Sequence, residues 1–300
     1  MLELIKRPNI QFIANRKQGF MLSVVLVTIA LVAIIAIKPH FGVDFTGGAL
    51  IQVRFEKAVT TDELRDALDL LGKGRSSLQK FGEENTFIIR AETREDPANF
   101  ARDVGEVLRV SFKDNPYKIE RQETVAPKIG SELKFRTIVA IILALILILG
   151  YVSIRFDYRF GTAALVALFH DFIITFGLLV LLQREFTIPV VAALLTIVGY
   201  SINDSIVVSD RIRENLRKMR KETFDRIVNQ GINDTLSRTL LTSLTTLTAV
   251  GMLITFGGPV IADFAITLFI GFIIGTYSSI FIVAPIVVEW ENRAPRRRRR

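Results

Sequence analysis

Long blocks of hydrophobic residues recur along the chain. Six of them stand out, at residues 20–37, 135–154, 161–182, 188–209, 239–257 and 264–288. Each is close to the roughly 20 residues that an α-helix needs to cross about 30 Å of hydrocarbon. A water-soluble chain instead distributes its apolar residues at helical or strand period. The pattern therefore predicts a polytopic α-helical membrane protein with six transmembrane helices.

The first block follows Arg16 and Lys17, as the apolar region of a secretory signal does. It lacks a small-x-small cleavage site, and further spans come after it, so we expect it to remain as a membrane anchor. The segment 38–134 then separates the first span from a continuous membrane region at 135–288, and this segment has the pattern of a folded domain.

Residues 38–134 predict a compact α+β domain with tethers. Leu50–Phe55 alternates between apolar and polar positions, as a half-buried strand does. Thr60 and Glu63 form a capping-box pattern for a helix to Leu71 that Gly72 ends. Further patterns predict strands at Ser76–Phe81 and Thr86–Ala91 joined by a hairpin, a helix from Asp96-Pro97 to about Phe112, and a strand at Tyr117–Val125. The order β-α-β-β-α-β is that of the ferredoxin-like fold.

The basic residues predict the orientation of the chain in the membrane. The formal net charge is +8, and Lys and Arg concentrate in the tail 1–19, the stretch 210–238 and the tail 289–300. The short loops on the opposite side contain one basic residue, Arg184. Because cytoplasmic loops carry the excess of Lys and Arg, both termini are predicted to be cytoplasmic and residues 38–134 periplasmic. This topology favours membrane lipids over nucleic acid as the contacts of the basic residues.

Composition and motifs argue against an enzyme. The chain has no cysteine and two histidines, which excludes disulfides and thiol chemistry and disfavours a metal centre. It contains no Walker loop, zincin motif or nucleophile elbow. We therefore expect no ATPase activity, no metal and no cofactor, and any work must draw on an ion gradient or a partner.

Asp204, beside Asn203, is the most informative polar residue of the fourth block. It precedes the predicted cytoplasmic exit at Asp210 by about six residues, hence by roughly 9 Å along a helix. A carboxylate at that depth normally faces a bundle interior or a water-filled cavity and marks a functional site. An ordinary interfacial acid that reaches into water is the alternative.

Arg238, near the start of the fifth block, is the candidate partner of Asp204. Antiparallel helices would bring the two groups to a similar depth, and arginine is always charged. Arg238 as a basic flank, or as a partner of Asp210, stays open. Other polar residues of the spans are Ser201 and Ser205 beside Asp204, the series Thr239, Thr242 and Thr246, and the pair His170-Asp171.

These polar residues have two interpretations. The three threonines share one helical face, where their hydroxyls could line a hydrated path or join helices. His170 could relay protons, or could form a hydrogen-bonded packing pair with Asp171. Gly271 and Gly275 form a small-xxx-small motif, which predicts close helix packing.

Several of these motifs resemble one protein family. Val43–Gly48 (VDFTGG) resembles the signature that opens the external domain of SecD and SecF proteins, with Asp44, Gly47 and Gly48 in it. Gly199–Ile206, continued by Asp210–Glu214, is similar to the fourth-span motif of the SecF branch. Similar fifth-span and sixth-span motifs lie at 237–239, 242–243 and 275–279. The similarity runs in order through nearly the whole chain, except the five terminal arginines.

The resemblance implies a membrane bundle like one half of an RND-superfamily transporter, in a subunit of the bacterial Sec protein-export apparatus of the inner membrane. It implies pairing with SecD, as a separate or fused chain, in a pseudo-symmetric assembly. It further implies work on unfolded preproteins beside the SecYEG channel and the SecA ATPase, driven by the proton-motive force. In the family, the residues that match Asp204 and Arg238 form the proton path, so protons are the expected coupling ion.

Two other functions remain open at this level. One is a scaffold that stabilises SecD or SecYEG without transport, and it would tolerate neutral substitutions at Asp204 and Arg238. The other is a stand-alone RND-like transporter of small molecules, which would be expected to have two homologous halves. The chain has one set of six spans and no duplication.

Overall fold

The structure, a computed structural model, describes residues 9–70, 72, 76–80, 85–91, 97–155, 158–258 and 261–294. Its helices are α1 (Arg16–Ala36), α2 (Val43–Thr46), α3 (Thr61–Asp69), α4 (Pro97–Ser111), α5 (Pro127–Arg155), α6 (Tyr158–Leu181), α7 (Ile188–Lys218), α8 (Phe224–Phe256), α9 (Ala262–Ser278) and α10 (Ala284–Arg293). Its strands are β1 (His40–Phe41), β2 (Gly48–Phe55), β3 (Ser77–Lys80), β4 (Thr86–Ala91), β5 (Tyr117–Val125) and β6 (Glu185–Phe186).

Six helical segments within the described residues are long and apolar enough to cross a membrane. They are α1, Ile129–Val152 within α5, α6, α7, α8 and the joined α9–α10 segment Ala262–Arg293. A π-helical turn at Ser279–Val283 joins α9 to α10. The predicted polytopic architecture of six spans is confirmed.

The chain divides into two compact units. The sheet unit consists of the described parts of Phe41–Ala140 together with Phe186–Ile188. Its four-stranded sheet has the order β3-β4-β2-β5, with antiparallel pairing throughout. This order is the one expected when β-α-β-β-α-β closes into a ferredoxin-like domain, with the first and third strands in the centre. The predicted ferredoxin-like α+β fold is therefore confirmed, and its predicted periplasmic location stays a prediction.

The core of the sheet unit follows from the alternation in β2. Ala49, Ile51, Val53 and Phe55 are all at most 1% exposed. They form one cluster with side chains of β4 and of the two helices, among them Phe87, Ile89, Leu64, Leu68, Val104 and Leu108. Burying a large aliphatic or aromatic side chain contributes about 1.5–3 kcal/mol, so this cluster holds both helices on the sheet.

The predicted start of α3 is also confirmed, whereas the helix ends at Asp69, two residues before the predicted end at Leu71. The Glu63 N–H donates to Thr60 Oγ1 at 3.2 Å, and the Thr60 N–H donates to Glu63 Oε2 at 2.8 Å, which completes the capping box. Gly72 has φ +65°, a left-handed conformation that suits glycine after a helix. Leu71, most of the predicted hairpin turn at 82–85, and Asp96 lie outside the described residues.

The capping box makes α3 sensitive to pH. The hydrogen bond from the Thr60 backbone holds the pKa of Glu63 below its ordinary value of 4.5. A depressed pKa in the folded state contributes stability above the unfolded-state pKa, and this is lost as the pH falls through the folded-state value. We therefore expect Glu63→Gln to lower the hydrogen-exchange protection of the α3 amides at pH 7 but not well below pH 4.5. Asp62→Asn, which neutralises the neighbouring exposed acid, is the matched control; an equal loss there would contradict the prediction.

The helical unit is built from the described parts of Met1–His40, Ile141–Glu185 and Pro189–Arg300. Helices α7 and α8 extend beyond their apolar blocks, so most of the basic stretch 210–238 is helical and only residues 219–223 connect the two. Arg211 on α7 donates to Asp234 on α8 at 2.8 Å. Arg16 at the start of α1 donates to Glu289 on α10 at 2.9 Å. Basic residues that flank the spans thus also pair with acids of neighbouring helices.

The chain before α1 is held by two asparagines of α8. The Ile10 N–H donates to Asn233 Oδ1 at 2.9 Å, and Asn233 Nδ2 donates back to the Ile10 carbonyl at 2.9 Å. The Ile13 N–H donates to Asn229 Oδ1 at 3.2 Å. These contacts satisfy backbone groups that would otherwise be buried without partners.

Glycines set the closest helix contacts of the unit. A Cβ on Gly271 of α9 would lie 2.1 Å from Ile197 Cδ1 of α7, and one on Gly275 would lie 3.2 Å from Ser201 Cβ. A Cβ on Gly177 of α6 would lie 2.4 Å from Ala30 Cβ of α1. The close packing predicted for Gly271 and Gly275 is confirmed, because small residues let helices approach.

Candidate functional site

Asp204 lies on α7 and is buried, with 4% of its surface exposed. Its Oδ2 atom has no hydrogen-bond partner among the described residues. The neighbouring Asn203 is exposed, because consecutive residues of a helix point about 100° apart. A buried carboxyl oxygen without a donor is costly to keep ionised, which makes this position a place where a proton can bind.

Arg238 on α8 is the cation whose charge acts on Asp204. No nitrogen of the Arg238 side chain lies within 4.0 Å of a carboxyl oxygen of Asp204, so these two described side chains form no ion pair. The Arg238 side chain is exposed in the single chain. The structure thus brings the predicted partners to one region but leaves them separated. Their predicted role as a proton path stays a prediction.

The threonines of α8 do not share one environment. Thr239 is 2% exposed, and its hydroxyl has no partner among the described residues. Thr242 is exposed and donates to the Arg238 carbonyl at 3.0 Å, and Thr246 donates to the Thr242 carbonyl at 2.8 Å. Ser243 instead joins helices, since its hydroxyl lies 2.8 Å from Thr276 Oγ1 of α9. Ser243 therefore joins helices, whereas the buried Thr239 hydroxyl has no hydrogen-bond partner within the part of the chain that the structure describes.

A second buried polar cluster surrounds Asp171 on α6. Asp171 is 1% exposed, and its Oδ2 accepts hydrogen bonds from Ser201 Oγ of α7 at 2.6 Å and Ser278 Oγ of α9 at 2.7 Å. Its Oδ1 lies 2.9 Å from His170 Nδ1. Ser205 donates to the Ser201 carbonyl at 3.0 Å. The predicted hydrogen bond between His170 and Asp171 is confirmed, and the pair belongs to a cluster that joins three helices.

Sequence reasoning did not identify Ser278 as a member of this cluster. It also missed Tyr277, whose hydroxyl donates to the Gly19 carbonyl of α1 at 2.7 Å. The available signal was the run of polar residues at 276–279 inside an otherwise apolar span. Polar side chains in such a position are usually directed at one another or at a bundle interior.

Asp44, in the motif that follows the first span, caps the start of α7. Its Oδ2 accepts a hydrogen bond from the Ile188 N–H at 3.0 Å. The first N–H groups of a helix lack partners within the helix, and a negative charge there is favoured by the helix dipole. Pro189 follows and has no N–H to satisfy. Asp44 thus stabilises the first turn of the helix that carries Asp204, from a position far away in sequence.

An aromatic cluster and three glycines fix the backbone around Asp44. The ring of Phe45 stacks on Phe186 at 5.7 Å between centroids. Gly47 has φ +73° and Gly48 has φ +129°, which only glycine adopts readily. A Cβ on Gly130, near the start of α5, would lie 2.9 Å from the Gly47 nitrogen, so the two backbones meet closely. The structure therefore explains why the motif has an acid at Asp44 and glycines at Gly47 and Gly48.

Removing the Asp44 carboxylate should loosen the start of α7. Losing a side-chain cap costs about 0.5–2 kcal/mol, so we expect Asp44→Ala to speed hydrogen exchange of the Ile188 amide by roughly three- to thirty-fold. Asp44→Asn retains an acceptor and should have a smaller effect. Asp66→Ala, at an exposed acid of α3, is the control and should leave this amide unchanged. Equal protection of Ile188 in Asp44→Ala and wild type would contradict the capping role.

Within the described residues, no group of three or more His, Asp or Glu side chains is arranged to hold a metal ion. The buried polar groups are a lone carboxyl with a cation in electrostatic reach and a carboxylate held by hydroxyls and an imidazole. Together with the six spans, they define a polytopic membrane protein with titratable side chains inside its helical unit.

Comparison with known proteins agrees with this class. Residues 106–293 match the family described as "Protein export membrane protein SecD/SecF, C-terminal", and residues 32–59 match the "SecD/SecF GG Motif". The protein translocase subunit SecF of Desulfurispirillum indicum is 42% identical over 291 residues, covering 95% of this chain and 92% of that protein. The SecF subunit of Calditerrivibrio nitroreducens is 44% identical over 291 residues, covering 95% and 96%.

A solved structure shares the fold. The crystal structure of SecDF from Thermus thermophilus, a translocon-associated membrane protein, matches with a TM-score of 0.86 and 40% identity over 95% of this chain. The match covers 39% of the SecDF chain, so this chain spans about two fifths of that protein. The chain therefore belongs to the SecD/SecF family, within which it groups with the SecF subunits, and its family role is in protein translocation.

Proposed function

We propose that this chain uses the proton-motive force to promote late stages of protein export across the cytoplasmic membrane, in partnership with SecD. Asp204 is the proton-binding group in this proposal, and Arg238 is the cation that competes with the proton for it. The observation that carries the proposal is the buried Oδ2 of Asp204, which has no hydrogen-bond partner among the described residues.

Exposed polar residues of α7 and α8 support the presence of a partner protein in the membrane. Asn203, Arg238 and Thr242 are exposed in the single chain, although all three belong to spanning helices. Polar and charged groups at membrane depth face a protein interior or water, because exposing them to hydrocarbon is costly. Spanning helices of SecD would cover this face, as expected if the two subunits pair across it as separate or fused chains.

The chain itself supplies a mechanical link. The segment 38–48, which follows the first span, leads directly into β2, one of the two central strands of the sheet domain. Proton binding at Asp204 would loosen its attraction to Arg238 and shift the helices, and the tethers 38–48 and 125–134 would carry that shift to the sheet domain.

The location follows from the charges. Both termini are cytoplasmic and the sheet domain is periplasmic in our proposal, because Lys and Arg concentrate in the tails and in residues 210–238. The sheet domain then meets unfolded preproteins that leave the SecYEG channel, after the SecA ATPase has begun their translocation. Protons act as the coupling ion, and no cofactor takes part.

The experiment that tests the function is translocation in reconstituted vesicles that contain the SecYEG channel, SecA, SecD and this chain. We expect an imposed proton gradient to increase the amount of protease-protected preprotein only when this chain is present. An ionophore that collapses the gradient should remove the increase. A stimulation that persists without the gradient would identify a scaffold, and no copurification with SecD would contradict the proposed partnership.

A further inference from the structure

The His170–Asp171 cluster is unusual because its charge is unbalanced. Asp171 is 1% exposed, and its partners among the described residues are two hydroxyls and an imidazole. A carboxylate only accepts hydrogen bonds, so three donors suit its ionised form. With a neutral imidazole the cluster carries one buried negative charge, which an apolar surrounding strongly disfavours.

The contact with Asp171 sets the tautomer of His170 when Asp171 is ionised. An ionised carboxylate only accepts hydrogen bonds, so with Nδ1 at 2.9 Å from Asp171 Oδ1 the hydrogen of the neutral ring is then on Nδ1. Nε2 then carries a lone pair. This atom is buried and has no hydrogen-bond partner within the described part of the chain. A histidine that served only to fill space would not require an unsatisfied acceptor at this depth.

We propose that Nε2 of His170 is a second proton-binding atom of the membrane region, separate from Asp204, with Asp171 as its fixed counter-charge. A proton from water binds the Nε2 lone pair and converts the imidazole to an imidazolium. The cluster then has no net charge, and the bond from Nδ1 to Asp171 becomes charge-assisted. Release of the proton restores the neutral ring. As the Nε2–H bond forms, an O–H bond of the donating hydronium ion breaks and leaves neutral water, and release reverses both changes.

The residues packed around the ring are compatible with this role. Helix α9 contributes Tyr277, whose ring stacks on His170 at 6.2 Å between centroids, and α1 contributes the uncharged Ser23 near the tyrosine hydroxyl. On α7, Tyr200 directly precedes Ser201, and its hydroxyl donates to Ser243 Oγ. The nearest carboxyl to Ser201 along α7 is that of Asp204, three residues later and hence about 4.5 Å farther along the axis. Arg159, at the start of α6, pairs with Glu291 and lies roughly 16 Å along the axis from His170.

The inference extends the proposed function, since both sites would lie on one proton route. Ser201 holds Asp171 and belongs to the same helical turn as Asp204. A proton at either site would therefore change the contacts of one segment of α7. Asp204, the proton-binding residue that the family resemblance implies, would then be one of two proton sites. The site at His170 can be tested without any translocation assay.

The test uses the fact that the chain has only two histidines. The full chain with His40→Gln, labelled with ¹⁵N-histidine and placed in lipid bilayers, reports on His170 alone by nuclear magnetic resonance. We expect the Nδ1–H tautomer at pH 9 and a fully populated imidazolium at pH 5. An Nε2–H tautomer at high pH, or a ring that stays neutral to pH 5, would overturn the proposal.

Substitutions separate this site from a structural histidine. Asp171→Asn should lower the imidazolium population at pH 6 at least ten-fold, because the counter-charge is gone. Ser278→Ala, which retains both titratable groups, should change it less and serves if Asp171→Asn does not fold. Tyr277→Phe is the control and should leave the titration unchanged. An unaltered titration of His170 in both Asp171→Asn and Ser278→Ala would reject Asp171 as the counter-charge. If instead the unsubstituted chain gave no stimulation of translocation by a proton gradient, only the proposed function would be rejected.

Discussion

Asp204→Asn should abolish the stimulation of protein translocation by a proton gradient while the protein remains folded and inserted. Asparagine has nearly the same shape but cannot bind and release a proton. The Asp204 Oδ2 has no hydrogen-bond partner among the described residues, so the substitution breaks no contact there. One charge crossing 100 mV supplies about 2.3 kcal/mol, and a mutant without the titrating group cannot use it. We expect at least a ten-fold loss of gradient-dependent translocation in reconstituted vesicles.

Two control variants show whether position or charge matters. The double variant Asn203→Asp/Asp204→Asn keeps the total charge but moves the carboxyl to an exposed position, and it should also be inactive. Glu214→Gln neutralises an exposed acid farther along α7, in contact with Arg211 and Lys218, and should remain active. Undiminished gradient-dependent translocation by Asp204→Asn would rule out the proton cycle and favour a scaffold.

Gly177→Leu should strongly destabilise the helical unit. A Cβ at this position would lie 2.4 Å from Ala30 Cβ, 2.5 Å from Ala30 Cα and 2.8 Å from its carbonyl oxygen. Backbone atoms cannot rotate away, so α1 and α6 must separate. Overpacking of this kind costs about 1–3 kcal/mol or more. We expect a lower unfolding temperature of the purified protein in detergent, by several degrees.

The matched control is Gly150→Leu, since a Cβ on Gly150 of α5 meets nothing within 4 Å. It should not lower the unfolding temperature, because it causes no clash and replaces a glycine inside a helix by a better helix former. A second test uses the smaller Gly177→Ala, which Ala30→Gly should partly rescue because the two residues occupy the same space. Equal stability of Gly177→Leu and Gly150→Leu would show that α1 and α6 do not pack as the structure has them.

Local patterns predicted most of the fold. The spans follow from block length, since an α-helix is the way for a single apolar segment to satisfy its backbone in lipid. The sheet domain follows from alternation and capping: Thr60 and Glu63 start α3 as expected, and Tyr117–Val125 has the predicted bounds. These features depend on residues that are close in sequence, where propensity and periodicity act directly.

Contacts between distant residues were not predictable in the same way. Asp44 was identified as part of a motif, but its partner Ile188 lies 144 residues away. Ser201 and Ser278 are ordinary small polar residues of their spans until the fold brings both to Asp171. Thr239, Thr242 and Thr246 share a helical face in sequence, yet the packing of α8 buries the first and exposes the second.

The sequence by itself determined that this chain spans a membrane six times, carries a ferredoxin-like domain and places an acid deep in its fourth span. The spans depend on the free energy of transfer of contiguous apolar segments, and the sheet domain depends on periodicity and capping, all of which local sequence sets. Only the tertiary structure decided which buried polar groups have hydrogen-bond partners. It left Asp204 Oδ2 and His170 Nε2 buried without hydrogen-bond partners among the described residues, and it placed the Asp44 carboxylate at the first turn of α7. Hydrogen bonding depends on distances between separate helices, which no single segment specifies.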